Sequence, residues 1–159
     1  MSLKNTLCIY TDGSSRGNPG PGGYGVILHW KDTQKEMSAA YRLTTNNRME
    51  LMAVIVALES LTRLGLNIDI FTDSKYVVDA VEKKWVFGWV KKNFKDKKNK
   101  DLWLRFLDNY RKHQIRFHWV KGHANHPQNN RCDELATMAA DQGPYLIDTQ
   151  YELEQANPG

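Results

Sequence analysis

Leu7-Cys8-Ile9-Tyr10-Thr11-Asp12 and, further along, Ile68-Asp69-Ile70-Phe71-Thr72-Asp73 are the two stretches whose comparison decides the fold. Each is a short run rich in β-branched and aromatic residues, the composition of a strand, and each finishes in Thr-Asp. Joined through a crossover helix within one sheet, they run parallel with a right-handed connection, so their ends coincide. As neighbours about 4.8 Å apart they project two carboxylates from the same sheet edge, at a spacing suited to a shared cation. Ligands of open α/β sheets collect beyond the carboxyl ends of parallel strands.

Working outward, residues 6–11 form the first strand, and GSSRGNPGPGG after Asp12 is turn-rich. Residues 24–30 and 37–43 read as the second and third strands of an antiparallel meander. Thr44, Thr45, Asn46 and Asn47 offer helix-capping chemistry, and 48–64 is rich in Leu, Met, Ala and Glu until Gly65 stops it. The strand at 68–72 is followed by Ser74 as a cap and a helix to about 81. Residues 85–94 and 101–112 look helical with a lysine loop between them, 115–120 is the last strand, and 128–142 is a helix stopped by Gly143 and Pro144. The expected architecture is mixed α/β: a five-stranded sheet of parallel and antiparallel strands with helices on both faces. One domain spans 1–145, and 146–159 carries no clear pattern and is expected as a flexible tail. No linker, low-complexity tract or solenoid repeat interrupts the chain.

With 159 residues the prior is one domain that buries about 68–70% of its unfolded surface. Forty-one per cent hydrophobic residues exclude disorder and collagen. Two cysteines, Cys8 and Cys132, cannot build a disulfide framework. The first seven residues contain one Lys and no apolar run, and no segment approaches the roughly 20 apolar residues of a membrane span, so a soluble cytoplasmic protein is expected. The net charge of +4 is localised: residues 83–100 hold eight lysines against Asp96, a local +7 that leaves −3 for the rest. Lysine runs are most often solvated faces. Here they are interleaved with Trp85, Phe87, Trp89 and Phe94, which shifts the reading toward nucleic acid, ammonium groups holding phosphates while rings pack on sugars and bases.

Glu50 stands one turn into the long helix with Ala53, Val54, Ala57 and Leu58 on its own face. An ionised Glu at the head of a buried stripe needs a metal or a cationic partner, although a single such Glu is more commonly an ordinary acid near a helix N-terminus. Asp133 lies in the last helix, with Asn129 at i−4 and the small residues Ala136 and Ala140 beyond; alone it would more often be a surface acid. Together with Asp12 and Asp73 these acids form a hard-oxygen set that suits Mg²⁺ or Mn²⁺. Two such ions about 4 Å apart activate water and stabilise a leaving oxygen in phosphodiester cleavage. Carboxylates plus the lysine patch argue for a nuclease. His123, between Gly122 and Ala124, is placed as a mobile proton carrier beside Asp133, the alternative being a solvent-exposed loop histidine.

Three motifs fail on context. Gly20-Pro21-Gly22-Gly23-Tyr24-Gly25 matches G-x-G-x-x-G but contains Pro and leads into a strand, which excludes a dinucleotide fold. Gly13-Ser14-Ser15-Arg16-Gly17 matches G-x-S-x-G with no helix after it. His118, His123, His126 and Cys132 fit no standard zinc spacing.

The residues closely resemble bacterial type 1 ribonuclease H. The matching pieces are Tyr10-Thr11-Asp12-Gly13-Ser14, the run from Gly17 to Gly25, TTNNRMEL from Thr44, Thr72-Asp73-Ser74 with Tyr76, and Val120-Lys121-Gly122-His123-Ala124 leading to Arg131-Cys132-Asp133-Glu134-Leu135-Ala136. They span the chain from the first strand to the last helix. The resemblance implies a ribonuclease H-like fold and endonucleolytic cleavage of the RNA strand of RNA–DNA hybrids to 5′-phosphate and 3′-hydroxyl products, by two Mg²⁺ ions, with Mn²⁺ able to substitute. It implies that Asp12 bridges both ions, Asp133 shares the water-activating ion, and Glu50 and Asp73 share the ion facing the leaving 3′ oxygen. His123 matches the mobile histidine. Asn18, Asn46 and Asn47 match hybrid contacts and Thr45 a DNA-phosphate contact, while Ser15 and Glu50 fall where 2′-hydroxyls are sensed. Trp85, Trp89, Lys91, Lys92 and Lys95 match the basic protrusion that holds the DNA strand. The chain departs from the family pattern at Lys75, where Gln is usual beside a 2′-hydroxyl contact, at Asn130, where an acid is common, at Ser15, where Cys is frequent, and in a shorter loop at 91–100. None of these removes a catalytic acid. The alternative is a non-catalytic nucleic-acid-binding module on the same fold, since fold alone does not carry activity; the full set of four acids argues against it. Monomer is the default, and a single-stranded-DNA-binding protein is left open as a partner.

Overall fold

The computed structural model describes residues 6–121 and 126–156. The strands are β1 (Thr6–Ser15), β2 (Gly20–Trp30), β3 (Thr33–Thr44), β4 (Asn67–Thr72), β5 (Gln114–Trp119) and β6 (Tyr145–Leu146). They form one sheet in the order β5-β4-β1-β2-β3-β6. The β1–β2 and β2–β3 pairs are antiparallel, as the meander predicts, and β1–β4 and β4–β5 are parallel. The sheet thus has six strands, not the expected five. The addition is β6, which pairs two residues with the edge of β3, Ala40 with Tyr145 and Tyr41 with Leu146. A two-residue strand has no periodicity to read.

The helices are α1 (Asn46–Glu59), α2 (Lys75–Glu82), α3 (Trp85–Lys91), α4 (Lys100–Tyr110), α5 (Pro127–Gln142) and α6 (Thr149–Ala156). Thr45 caps α1, its hydroxyl accepting from the Arg48 N–H at 3.2 Å. Leu7 and Ile9 of β1, Ile68 and Ile70 of β4, and the buried side chains of α1, α2 and α4 make one core around Trp103 and Phe106. The other sheet face is covered by α5, which packs on β1, β2 and β3. α1 ends at Glu59, short of the predicted 64. Leu64 is exposed, so the last predicted turn has no surface to bury against.

The glycine-rich stretch after Asp12 is strand where turns are expected, and only residues 16–19 form the turn. Close approach of helices explains the glycines. A side chain at Gly25 would land on the Cys132 carbonyl of α5, and one at Gly13 on the backbone of Met49 and Glu50 in α1. Both helices therefore reach the sheet backbone to backbone.

Residues 146–156 differ from the flexible tail expected over 146–159. Tyr151 and Asp148 are buried, and α6 packs on β3. The cause is Arg48, only 1% exposed, whose guanidinium donates to both oxygens of Asp148 (2.7 and 2.8 Å) and both of Asp101 (2.9 and 2.7 Å). Thr44 Oγ1 also donates to Asp148 at 2.8 Å, and the Arg48 guanidinium lies over the Tyr151 ring. A buried cation on α1 thereby ties down α4 and the segment entering α6.

Candidate active site

The β1–β4 ladder runs in register to Tyr10 and Phe71, so Asp12 and Asp73 each stand two residues past the last pair, at the same sheet edge. Gly13 allows the first turns of α1 to press on that edge and deliver Glu50. Ligand oxygens of Asp12, Glu50 and Asp73 lie within 4.8 Å of one another. Asp12 and Glu50 are each 6% exposed. The Gly13 N–H donates to Asp12 Oδ1 at 2.9 Å, and Ser74 caps α2 by accepting from the Val77 N–H, which fixes the backbone after Asp73.

Burial drives the electrostatics of Asp12 and Glu50. It pushes the Asp12 carboxyl up to about 8, reinforced by the charge of Asp73 and, more weakly, of Asp133, while Glu50 and the Gly13 N–H pull it down. Burial, then Asp12 and Asp73, hold the Glu50 carboxyl well above the usual range. Glu50 Oε1 and Asp73 Oδ1 are buried with no hydrogen-bond partner among the described residues. Three crowded carboxyls that repel one another and leave two oxygens unsatisfied fit a hard divalent cation, which supplies the missing charge and accepts both oxygens as ligands.

Asp133, on α5, is half-buried and stands outside this trio, but its charge reaches Asp12. The small residues expected beside it, Ala136 and Ala140, are buried under Gly23. His123 lies outside the described residues. The rejected zinc set is scattered where it can be followed: His118 bonds Asp69 at 2.9 Å, and Cys132 Sγ donates to the Tyr10 carbonyl under α5 at 3.2 Å.

Around the acids, the turn from Ser15 meets the N-terminus of α1. Asn18 Oδ1 accepts from the Asn46 N–H at 3.0 Å, and Asn46 and Asn47 are exposed beside the Thr45 cap. Ser15, Asn18, Thr45, Asn46 and Asn47 thus share the glutamate's end of the sheet. On the other side, Lys75 is exposed with its ammonium 4.6 Å from the centre of the Trp119 ring, and the Trp119 indole N–H donates to the Asp73 carbonyl at 3.1 Å. Nothing in the sequence pointed to Trp119; its role comes from β5 lying beside β4.

The lysine-rich segment is α3 and the irregular chain after it. The helix expected over 85–94 stops at Lys91, and Asn93, Phe94, Asp96 and Asn99 take left-handed backbone conformations. Lys91, Lys92 and Lys95 are exposed, and Trp85 is 48% exposed under the Lys83 ammonium. Phe94, read from the sequence as a ring available to nucleic acid, is buried instead. It packs edge-on against Trp89, which in turn packs on Trp103, because the segment needs an apolar root to stand on the core. Trp89 is therefore half-buried, and Lys97 covers its ring at 5.3 Å.

The family model described as RNase H matches residues 4–141. Ribonuclease H of Pectobacterium atrosepticum is 54% identical over 157 residues, covering 96% of this chain and all of that protein. Ribonuclease H of Desulforamulus reducens is 49% identical over 149 residues, covering 91% of this chain and 93% of that one. Among solved structures, LC9-RNase H1, a type 1 RNase H with the type 2 active-site motif, superposes with a TM-score of 0.79 at 31% identity, covering 96% of this chain and 82% of that chain. LC11-RNase H1 in complex with an RNA/DNA hybrid gives 0.57 at 27% identity, covering 86% and 97%.

Proposed function

The chain belongs to the ribonuclease H family, and on that premise we propose which of its residues carry the reaction and how. It is a metal-dependent endoribonuclease that hydrolyses the RNA strand of RNA–DNA hybrids, leaving 5′-phosphate and 3′-hydroxyl ends by a two-metal mechanism. The observation that carries the assignment is the trio of buried Asp12 and Glu50 with half-buried Asp73, and the unsatisfied oxygens of Glu50 and Asp73.

Asp12, Glu50, Asp73 and Asp133 would hold the divalent ions, Mg²⁺ with Mn²⁺ able to substitute. Bound there, the ions activate a water and stabilise the leaving 3′ oxygen of an in-line displacement. Asp12, Glu50 and Asp73 would hold the ions from the sheet edge and Asp133 from α5, Asp12 being the acid whose carboxyl feels both Asp73 and Asp133. His123 moves the proton. Ser15 and Glu50 face the minor groove, where 2′-hydroxyls separate RNA from DNA. Asn18, Asn46 and Asn47 contact the hybrid and Thr45 a DNA phosphate, with Lys75 at the opposite rim. Trp85, Trp89, Lys91, Lys92 and Lys95 hold the DNA strand at a distance from the reacting bond. The catalytic domain takes in β6 and α6 beyond the boundary at 145 expected from the sequence, and the enzyme works as a cytoplasmic monomer. The support for these roles is the convergence of Asp12, Glu50 and Asp73 at one sheet edge, beside Asn18 and the exposed Asn46 and Asn47 at the start of α1.

The test is cleavage of an end-labelled RNA–DNA hybrid beside duplex DNA, duplex RNA, single-stranded RNA and hybrid with EDTA. Metal-dependent loss of the hybrid's RNA alone is expected. Asp12→Asn abolishes turnover with little loss of hybrid binding; substantial metal-dependent cleavage by this variant would refute the role given to Asp12. Binding without cleavage by the wild type would leave a nucleic-acid-binding module.

A further inference from the structure

We propose that Asn129 is a positioning residue of the acidic site: its amide nitrogen ties the ends of β1 and β4 together, and its amide oxygen is thereby aimed at the hydration shell of the divalent ion. Strand pairing between β1 and β4 ends at Tyr10 and Phe71. Beyond that pair no ladder bond between these strands holds Asp12 beside Asp73, and their charges push them apart when both are ionised. Asn129, in the first turn of α5, bridges the gap. Its Nδ2 donates to the Phe71 carbonyl at 3.0 Å and, at the long limit of 3.5 Å, to the Thr11 carbonyl. One turn on, Cys132 holds the neighbouring Tyr10 carbonyl, so the same helix face grips both strands just before their acids.

These donors fix the orientation of the amide. Turned over, it would set its oxygen against two carbonyl oxygens, so the nitrogen must face the strands. Oδ1 then points away from them. It is buried and has no partner among the described residues, and Asn129 lines a small cleft together with Asp12, Asp73, Lys121, His126 and Asn130. A buried acceptor without a donor is costly and needs an explanation. Ionised carboxylates cannot donate, and none of Lys121, His126 and Asn130 bonds to it. Mg²⁺ retains several of its waters when bound by carboxylates, and their hydrogens point outward from the ion. Such a water is the donor that fits Oδ1. Partners of this kind, one step removed from the ion, change metal affinity or activity 10–100-fold when lost.

This inference rests on the reading of the acids as a divalent-metal centre. The experiment is calorimetric titration of the wild type and Asn129→Ala with Mg²⁺ in the absence of substrate, alongside kcat and KM on the hybrid. Mg²⁺ affinity and kcat should each fall at least tenfold, with KM for the hybrid within twofold. An Mg²⁺ affinity within threefold of wild type would overturn the proposal whatever the loss of Tm, since a purely structural tether predicts that result. If Asn129→Ala does not fold, the wild type decides: the Asn129 side-chain amide resonances, in ¹⁵N spectra, should shift on Mg²⁺ addition. Amide signals that stay still while the Gly13 N–H moves would also overturn it. A wild type that binds Mg²⁺ but does not cleave the hybrid removes the functional reading, and the Mg²⁺ titration still decides the role of Asn129.

Discussion

Replacing Arg48 with Met strips the guanidinium from between two carboxylates and should be the most destabilising single change outside the acidic site. Arg48 is 1% exposed and Asp148 5%. Without Arg48, Asp148 keeps the Thr44 hydroxyl as its one side-chain donor among the described residues, and Asp101 loses both of its bonds to the guanidinium. Breaking a buried pair by removing one partner costs about 3–5 kcal/mol, mostly from the charge left behind. At roughly 2–4 °C per kcal/mol for a domain of this size, Tm should fall by about 6–20 °C. The pH dependence follows from Asp101. Burial pushes its carboxyl up, but the hydrogen bonds and charge of Arg48 outweigh that and hold it below the usual range. A depressed carboxyl stabilises the fold above its unfolded pKa near 3.9, and that contribution is lost as pH falls through the lower folded value. The deficit of Arg48→Met should therefore be constant from about pH 6 to 8 and shrink below about pH 4. Urea unfolding followed by circular dichroism measures it. Adding Asp148→Asn should recover part of the loss, because the stranded charge is then gone. A single variant within about 1 kcal/mol of wild type at pH 7 would refute the reasoning, as would a deficit that grows in acid.

Asp12→Asn should stabilise the metal-free protein. Between the unfolded carboxyl's pKa near 3.9 and about 8, the fold retains a proton that the unfolded chain releases, so stability falls as pH rises through that window. The variant should gain at least about 1.4 kcal/mol, one pKa unit's worth, at pH 7 in EDTA, measured by urea unfolding; a loss of stability would show that Asp12 is not strained. For the same reason wild-type Mg²⁺ affinity should rise from pH 6 to 8 with release of protons, seen by calorimetry in buffers of different ionisation heat; a flat profile would contradict the raised carboxyls. Gly25→Ala puts a methyl on the Cys132 carbonyl and should cost about 1–3 kcal/mol. Because α5 carries Asp133, it should also lower kcat, and a variant of unchanged Tm would disprove the contact. Neutralising Lys91, Lys92 and Lys95 to Gln should flatten the slope of log hybrid affinity against log salt by about 2, at 0.7–0.9 per phosphate contact. An unchanged slope would remove this segment from the binding surface.

Read along the chain, the repeated Thr-Asp endings at Asp12 and Asp73 were enough to place two parallel strands side by side and converge their acids. Hydrophobic periodicity and the Thr45 cap located α1, and with it Glu50. These features are local, or follow from handedness rules that hold for any L-polypeptide. The lysine segment was legible as charge, but the division of its rings between core and solvent was not, since Phe94 and Trp85 look alike until Trp89 and Trp103 are set beside them. Gly13 and Gly25 resembled turn residues because composition cannot distinguish a bend from a strand pressed by a helix backbone. β6 and α6 carried no pattern because they are held through Arg48, whose partners Asp101 and Asp148 are remote in sequence. Asn129 sat one turn from Asp133 in plain view, but its grip on two strands depends on α5 lying across them. The sequence by itself pointed to the sheet edge where Asp12, Glu50 and Asp73 meet, because strand ends and helix phase are written in local pattern, whereas Asp133, expected with them, stands outside that trio. Only the tertiary structure decided what holds that edge together and what orients it, because a buried charge or amide is defined by the partners that burial brings to it.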